Sequence, residues 1–145
     1  MDMTPKEYQA YVKAKAPKSP IVRDCLRAFL VGGLICTLGQ AIQNGWLAAS
    51  LSRDDAGAAT ACTLVLLSAV LTGLNVYNNI GRFGGAGSLI PITGFANAVV
   101  SPAIDFRAEG IVTGMAAKMF TVAGPVIVFG SLASVLYGIV LMLLR

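Results

Sequence analysis

At 145 residues the chain has the length of a single domain, and it is 56% hydrophobic but only 12% charged, against about a quarter charged for an ordinary soluble domain. That deficit predicts an integral membrane protein, and apolar runs of about twenty residues or more make it all-α, a polytopic helical bundle. The net charge is +4, His is absent, and the three cysteines, Cys25, Cys36 and Cys62, have no metal-ligand spacing, so the residues offer no zinc site, Cys-His nucleophile or disulfide framework.

In chain order, residues 1–22 form a polar N-terminal segment. Thr4-Pro5-Lys6-Glu7 carries the signs of a helix start: a capping hydroxyl, Pro at the first helical position and a Glu that reaches back. Tyr8, Tyr11 and Val12 fall on one side, with Lys6, Lys13 and Lys15 facing anionic headgroups, as in a helix lying on a membrane. A solvated tail is the alternative, and Pro17 and Pro20 close the segment. No cleavable signal peptide is expected, because the first apolar run begins only near Ala28 and is long enough to remain in the bilayer.

Residues 23–145 form the transmembrane domain, with about four membrane segments predicted at 28–47, 57–77, 86–104 and 111–144. Trp46 suits the interface at the end of the first, and Tyr77 marks the end of the second. Thr37, Gln40 and Asn44 share a face of the first span; Ser68, Thr72, Asn75 and Asn79 define a polar face of the second. The third segment opens on Gly84–Asn97, which is uncharged but holds four Gly and Pro91. Broken backbone at membrane depth must be buried in protein or line a watery cavity. This stretch is therefore read as a place where a solute binds or passes, with a Pro-kinked spanning helix as the plainer alternative. Thr93, Asn97, Ser101 and Asp105 recur every four residues on one face, with Pro102 a candidate stop. The last run, 111–144, exceeds a simple span, and Pro125 is expected to break it.

Six of the eleven basic residues precede residue 28, which places the N-terminus in the cytoplasm. With four crossings, Arg82 and Arg145 fall on the same side. If the Gly/Pro stretch only dips in and returns, the crossings number three and the loop with Asp105 and Arg107 stays inside. The chain also carries the outline of a two-fold internal repeat: residues 31–41 align with 86–96 at an offset of 55, matching Gly, Leu, Ile, Gly and Ala. Repeats of this kind place transporter sites at their interface.

The candidate pore or ligand residues are Lys118, Thr93, Asn97, Ser101, Gln40 and Pro91. Lys118 is a cation inside an apolar run and costs several kcal/mol unless paired, hydrated or able to snorkel. It either faces a pore or an anionic ligand, or snorkels to the interface. Gly110 and Gly114 share its stripe and would admit a close neighbour; Gly130, Ser134 and Gly138 form a second packing ladder, within the chain or between subunits. Gly84-Gly85-Ala86-Gly87 lacks the strand–turn–helix context of a phosphate loop. No paired carboxylates or nucleophile–base set appears, so neither catalysis, a cofactor nor a metal is expected, and no basic stripe with aromatics speaks for nucleic acid.

Arg27–Cys36 with Gly39-Gln40, then Pro91-Ile92-Thr93-Gly94-Phe95-Ala96-Asn97, Glu109-Gly110 and Ala123-Gly124-Pro125-Val126-Ile127-Val128 resemble the stage V sporulation AC/AE-type membrane protein family. The resemblance runs from about Arg23 to Tyr137, departing at Ser88 and Asp105, where Thr and Glu are the family's residues. It implies a subunit of a spore inner-membrane complex, a homo- or hetero-oligomer, that moves dipicolinic acid with calcium into the developing spore and releases it at germination. A mechanosensitive channel is the implied mechanism. A scaffold that assembles partner subunits without conducting is the rival reading.

Overall fold

The computed structural model describes residues 4–16 and 20–144, so the sequence readings that used Pro17, Lys18 and Arg145 lie outside the described residues. Helix α1 (Pro5–Lys15) begins as its sequence requires: the Thr4 hydroxyl accepts from the Glu7 amide, and the Glu7 carboxylate accepts from the Thr4 amide. All its side chains are exposed.

Helix α2 (Ile21–Ala48) and α3 (Arg53–Gly73) form an antiparallel pair joined by a short turn. Ser52 caps α3 by accepting from the Asp55 amide. The indole of Trp46 donates to Thr63 Oγ1 at 3.3 Å across the pair. α3 ends where Asn75 takes a left-handed conformation, φ 58°, which an Asn side chain tolerates better than most. Asn75 and Asn79 therefore do not extend the polar face of α3; only Ser68 and Thr72 do.

The Gly/Pro-rich region is three short pieces: α4 (Tyr77–Gly84), α5 (Ala86–Leu89) and α6 (Ile92–Asp105). Gly85, at φ 51° and ψ −127°, makes the first corner, a conformation open to glycine at little cost. Pro91 precedes the first turn of α6, where its missing N–H costs no helical bond. α6 continues through Pro102, so Thr93, Asn97, Ser101 and Asp105 do share one face. Its 14 residues reach about 21 Å at 1.5 Å each, short of a hydrocarbon core of about 30 Å.

A single 3₁₀ turn (Arg107–Glu109) and a π-helical stretch (Ile111–Ala116) lead into α7 (Ala117–Leu144). The break expected near Pro125 is not there: α7 runs through that residue, and the irregular backbone lies at Ile111–Ala116 instead. A proline deletes one helical hydrogen bond, which a long helix in a membrane tolerates. Gly110 stands outside the helix, at φ 102°, so it is a turn residue and does not share a helical stripe with Lys118. Three helical runs, Ile21–Ala48, Arg53–Gly73 and Ile111–Leu144, are long and apolar enough to cross a membrane.

Packing is inverted relative to a soluble protein. The most deeply buried side chains are small or hydroxylated, Ala56, Ser68, Ser88, Ala96 and Ala103, while large apolar ones such as Leu34, Ile90 and Phe120 face outward. Lipid offers apolar side chains as good a solvent as a protein interior, so close approach of small residues and hydrogen bonding drive helix association instead. α3 buries Ala56, Thr60, Leu64, Ser68 and Thr72, one every fourth residue, and packs most extensively on α6. α7 leaves α6 after its first two turns; every residue from Pro125 to Leu144 is exposed.

Candidate functional site

A buried polar cluster joins the end of α3 to the broken segment. Ser68 Oγ donates to the Thr93 carbonyl at 2.5 Å, and Thr72 Oγ1 lies 2.9 Å from Asn97 Oδ1. The Tyr77 hydroxyl is within 2.8 Å of both the Ser88 carbonyl and Thr93 Oγ1. Ser88 Oγ reaches the Gly85 carbonyl at 2.9 Å. A freed carbonyl is the expected cost of a break in a membrane helix, and the Tyr77 hydroxyl satisfies that of Ser88. Among the described residues no buried side-chain nitrogen or oxygen lacks a partner.

The two bonds from α3 also set direction. Ser68 meets residue 93 and Thr72 meets residue 97, so successive turns of α3 meet successive turns of α6 in the same order. The two helices run side by side the same way. The chain between them must turn back, and it does so at Asn75, Gly85 and Pro91.

Glycines let the returning segment approach α2 at backbone distance. A Cβ on Gly87 would run into the backbone of Ala28, and one on Gly84 into the side chain of Val31. Gly32 faces Gly87 from the other helix: a Cβ there would sit 3.2 Å from the Gly87 carbonyl oxygen. These two glycines hold equivalent places in the 31–41 and 86–96 stretches, although the first stretch is an unbroken part of α2 and the second is broken. Gly94 sits against the carbonyls of Ser88 and Leu89, closing the corner.

The candidates named from the sequence separate into groups. Thr93 is buried and Asn97 half-buried in the polar cluster, and Ser101 lies one turn further along the same helix. Pro91 lines a small crevice with Ala28, Gly32 and Gly87. Gln40 stands apart on the exposed surface of α2, donating to Asn44 Oδ1 at 3.0 Å. Lys118 is half-buried with its ammonium 4.0 Å from the Phe106 ring centroid, a cation–π contact. Gly114 is buried against the Phe106 carbonyl. Gly130 and Gly138 meet open space, and Ser134 donates to the Gly130 carbonyl within its own helix.

Tyr77 is the residue that sequence reasoning misplaced. Expected at the membrane interface, it is only 3% exposed and holds the centre of the cluster. No local signal distinguishes the two roles; only the turn at Gly85 brings Ser88 and Thr93 to its hydroxyl. Chemically the cluster is a set of neutral donors and acceptors that already satisfy one another. It staples the broken segment.

The comparisons with known proteins agree with this architecture. The chain is 48% identical over 136 residues to stage V sporulation protein AC of Bacillus subtilis (strain 168), covering 93% of this chain and 91% of that protein. No solved structure matches. The SpoVAC/SpoVAEB sporulation membrane protein family matches residues 24–140, which takes in every helix from α3 to α6 and most of α2 and α7. Membrane helices, an inverted core and this match together assign the chain: it belongs to the SpoVAC/SpoVAEB family of sporulation membrane proteins.

Proposed function

We propose that the chain is a subunit of a channel or transport complex in the spore inner membrane that moves dipicolinic acid, with calcium, during sporulation and germination. The observation that carries this reading is the broken segment held in place by Ser68, Thr72 and Tyr77. A plain anchor needs no such break, whereas discontinuous helices are how membrane proteins place polar backbone beside a solute. In this reading the N-terminus is cytoplasmic, Gly84–Asn97 dips into the membrane and returns, and the stapled cluster is the closed state. Opening, by membrane tension among other signals, exchanges these hydrogen bonds for bonds to water and solute.

The conduction path is completed between subunits. Gln40 and Asn44 are amides on the outer face of an apolar helix. An amide facing lipid is costly, so this face is satisfied by protein or water in the assembly. Lys118 and Ser101 flank the path from α7 and α6.

A second reading, a non-conducting scaffold, is favoured by the outer part of α7, whose Gly130–Ser134–Gly138 ladder meets no neighbour among the described residues. Two experiments separate them. Spores lacking the gene should lack dipicolinic acid and regain it with the intact gene. The purified chain in liposomes should release entrapped dipicolinate, and a scaffold would release none.

A further inference from the structure

The end of α2 that carries Arg27 bears a second feature unrelated to the stapled cluster. A crevice of about 470 Å³ opens between the first turns of α2 and the end of α4, and both Arg27 and Arg82 line it. Arg27 is half-buried, with its guanidinium carbon 4.9 Å from the Phe83 ring centroid. Stacking on the ring holds the guanidinium plane in place and leaves N–H groups for an anion. Asp24 also lines the crevice, so two cations face one carboxylate and one positive charge is in excess.

Phe83 belongs to two cavities. On its other side lies a mostly apolar groove of about 510 Å³ between α2 and α4, walled by Val31, Leu34, Ile35, Leu38 and Ile80, with Asn79 as its polar residue. The groove starts where the crevice ends and follows α2 into the apolar part of its span. Leu34 and Leu38 are 70% and 51% exposed, so nothing among the described residues covers it. A basic, partly stacked pocket at the foot of a spanning helix, continuous with an apolar channel running up that helix, has the charge and shape of one kind of molecule. It matches a ligand with an anionic head and a hydrocarbon tail.

We propose that this crevice and groove bind an anionic phospholipid, with its phosphate between Arg27 and Arg82 and one acyl chain along Val31, Leu34 and Leu38. A free anion would use the crevice and leave the groove empty. A zwitterionic lipid would use the groove but bring its own cation to two arginines. The site is independent of whether the chain conducts.

The test is native mass spectrometry of the intact chain released from detergent micelles that carry equal amounts of phosphatidylglycerol and phosphatidylcholine, counting lipids retained. One net positive charge at a membrane surface corresponds to about a fivefold preference for the anionic lipid. Wild type should show at least that preference. Arg27→Ala with Arg82→Ala, which leaves Asp24 alone in the crevice, should bring it to one or below, and Asp24→Asn, which removes only the opposing charge, should raise it above wild type. Should the double variant not be recovered as folded protein, the wild-type ratio and Asp24→Asn decide the matter alone. Equal retention of the two lipids by wild type overturns the proposal, as does an Asp24→Asn ratio no higher than wild type. Displacement of the bound lipid by millimolar glycerol phosphate would show a site for the free anion and overturn it too.

Discussion

The hydroxyl of Tyr77, at the start of α4, is 2.8 Å from Thr93 Oγ1 at the start of α6 and 2.8 Å from the Ser88 carbonyl between them. One side chain thus ties both ends of the broken segment, sixteen residues apart in the chain. With Ser68 and Thr72 supplying bonds from α3, the break is held from two sides.

Tyr77→Phe keeps the ring and removes this tie, leaving a buried carbonyl without its donor. The expected cost is about 1–3 kcal/mol, read as a lower midpoint of thermal unfolding in detergent. An unchanged midpoint would mean that Ser68 and Thr72 hold the break without it.

Glycines 33 and 87 should respond oppositely to the same substitution. Gly87→Ala drives a methyl group into the Ala28 backbone and is expected to push α5 off α2, with a large fall in folded protein. Gly33 has open space where its Cβ would be, so Gly33→Ala should be neutral or stabilise α2 by up to about 1 kcal/mol. Similar behaviour of the two in an expression and unfolding assay would refute the backbone contact.

Because α3 and α6 run the same way, the residues that follow each should emerge on one side of the membrane. Single cysteines at Asn78 and Ala108, in a background with Cys25, Cys36 and Cys62 replaced, are expected to react with an impermeant maleimide from the same side. Labelling from opposite sides would show that the Gly/Pro-rich segment crosses.

Lys118 rests on Phe106, a contact worth about 0.5–2 kcal/mol. Phe106→Leu should cost that much in stability while keeping the charge. If Lys118 also flanks the path, Lys118→Ala should change dipicolinate flux several-fold more than it changes protein level, and Lys118→Arg should preserve both. Parallel loss of flux and protein would reduce the residue to packing.

Hydrogen bonds from the Thr4 backbone amide and then the Thr4 hydroxyl hold the Glu7 carboxyl below its ordinary pKa. A depressed carboxylate pKa stabilises the folded form above the ordinary value and loses that contribution as pH falls through the depressed one. The α1 cap should therefore persist at neutral pH and fray in acid. An NMR titration should place Glu7 lower than an ordinary glutamate, and Thr4→Ala should move it upward.

Local rules sufficed for much of this chain. The capping box at Thr4 and Glu7, the two apolar spans before residue 74, and the shared face of Thr93, Asn97 and Ser101 are consequences of hydroxyl spacing, run length and the 3.6-residue turn. The charge deficit predicted an integral membrane protein, and the length of the apolar runs made it helical. Those readings depend on neighbours within about one helical turn. What lay beyond them was set by distant partners. Tyr77 is buried because Gly85 turns the chain and Gly87 packs against the Ala28 backbone, fifty-nine residues earlier. Lys118 meets Phe106 because the irregular backbone falls at Ile111–Ala116 and not at Pro125. In a membrane, large apolar side chains lie on the outside and carry no record of which helix sits next to which. Glycine contacts and a few hydroxyls make that choice, and only the tertiary structure reveals their pairing.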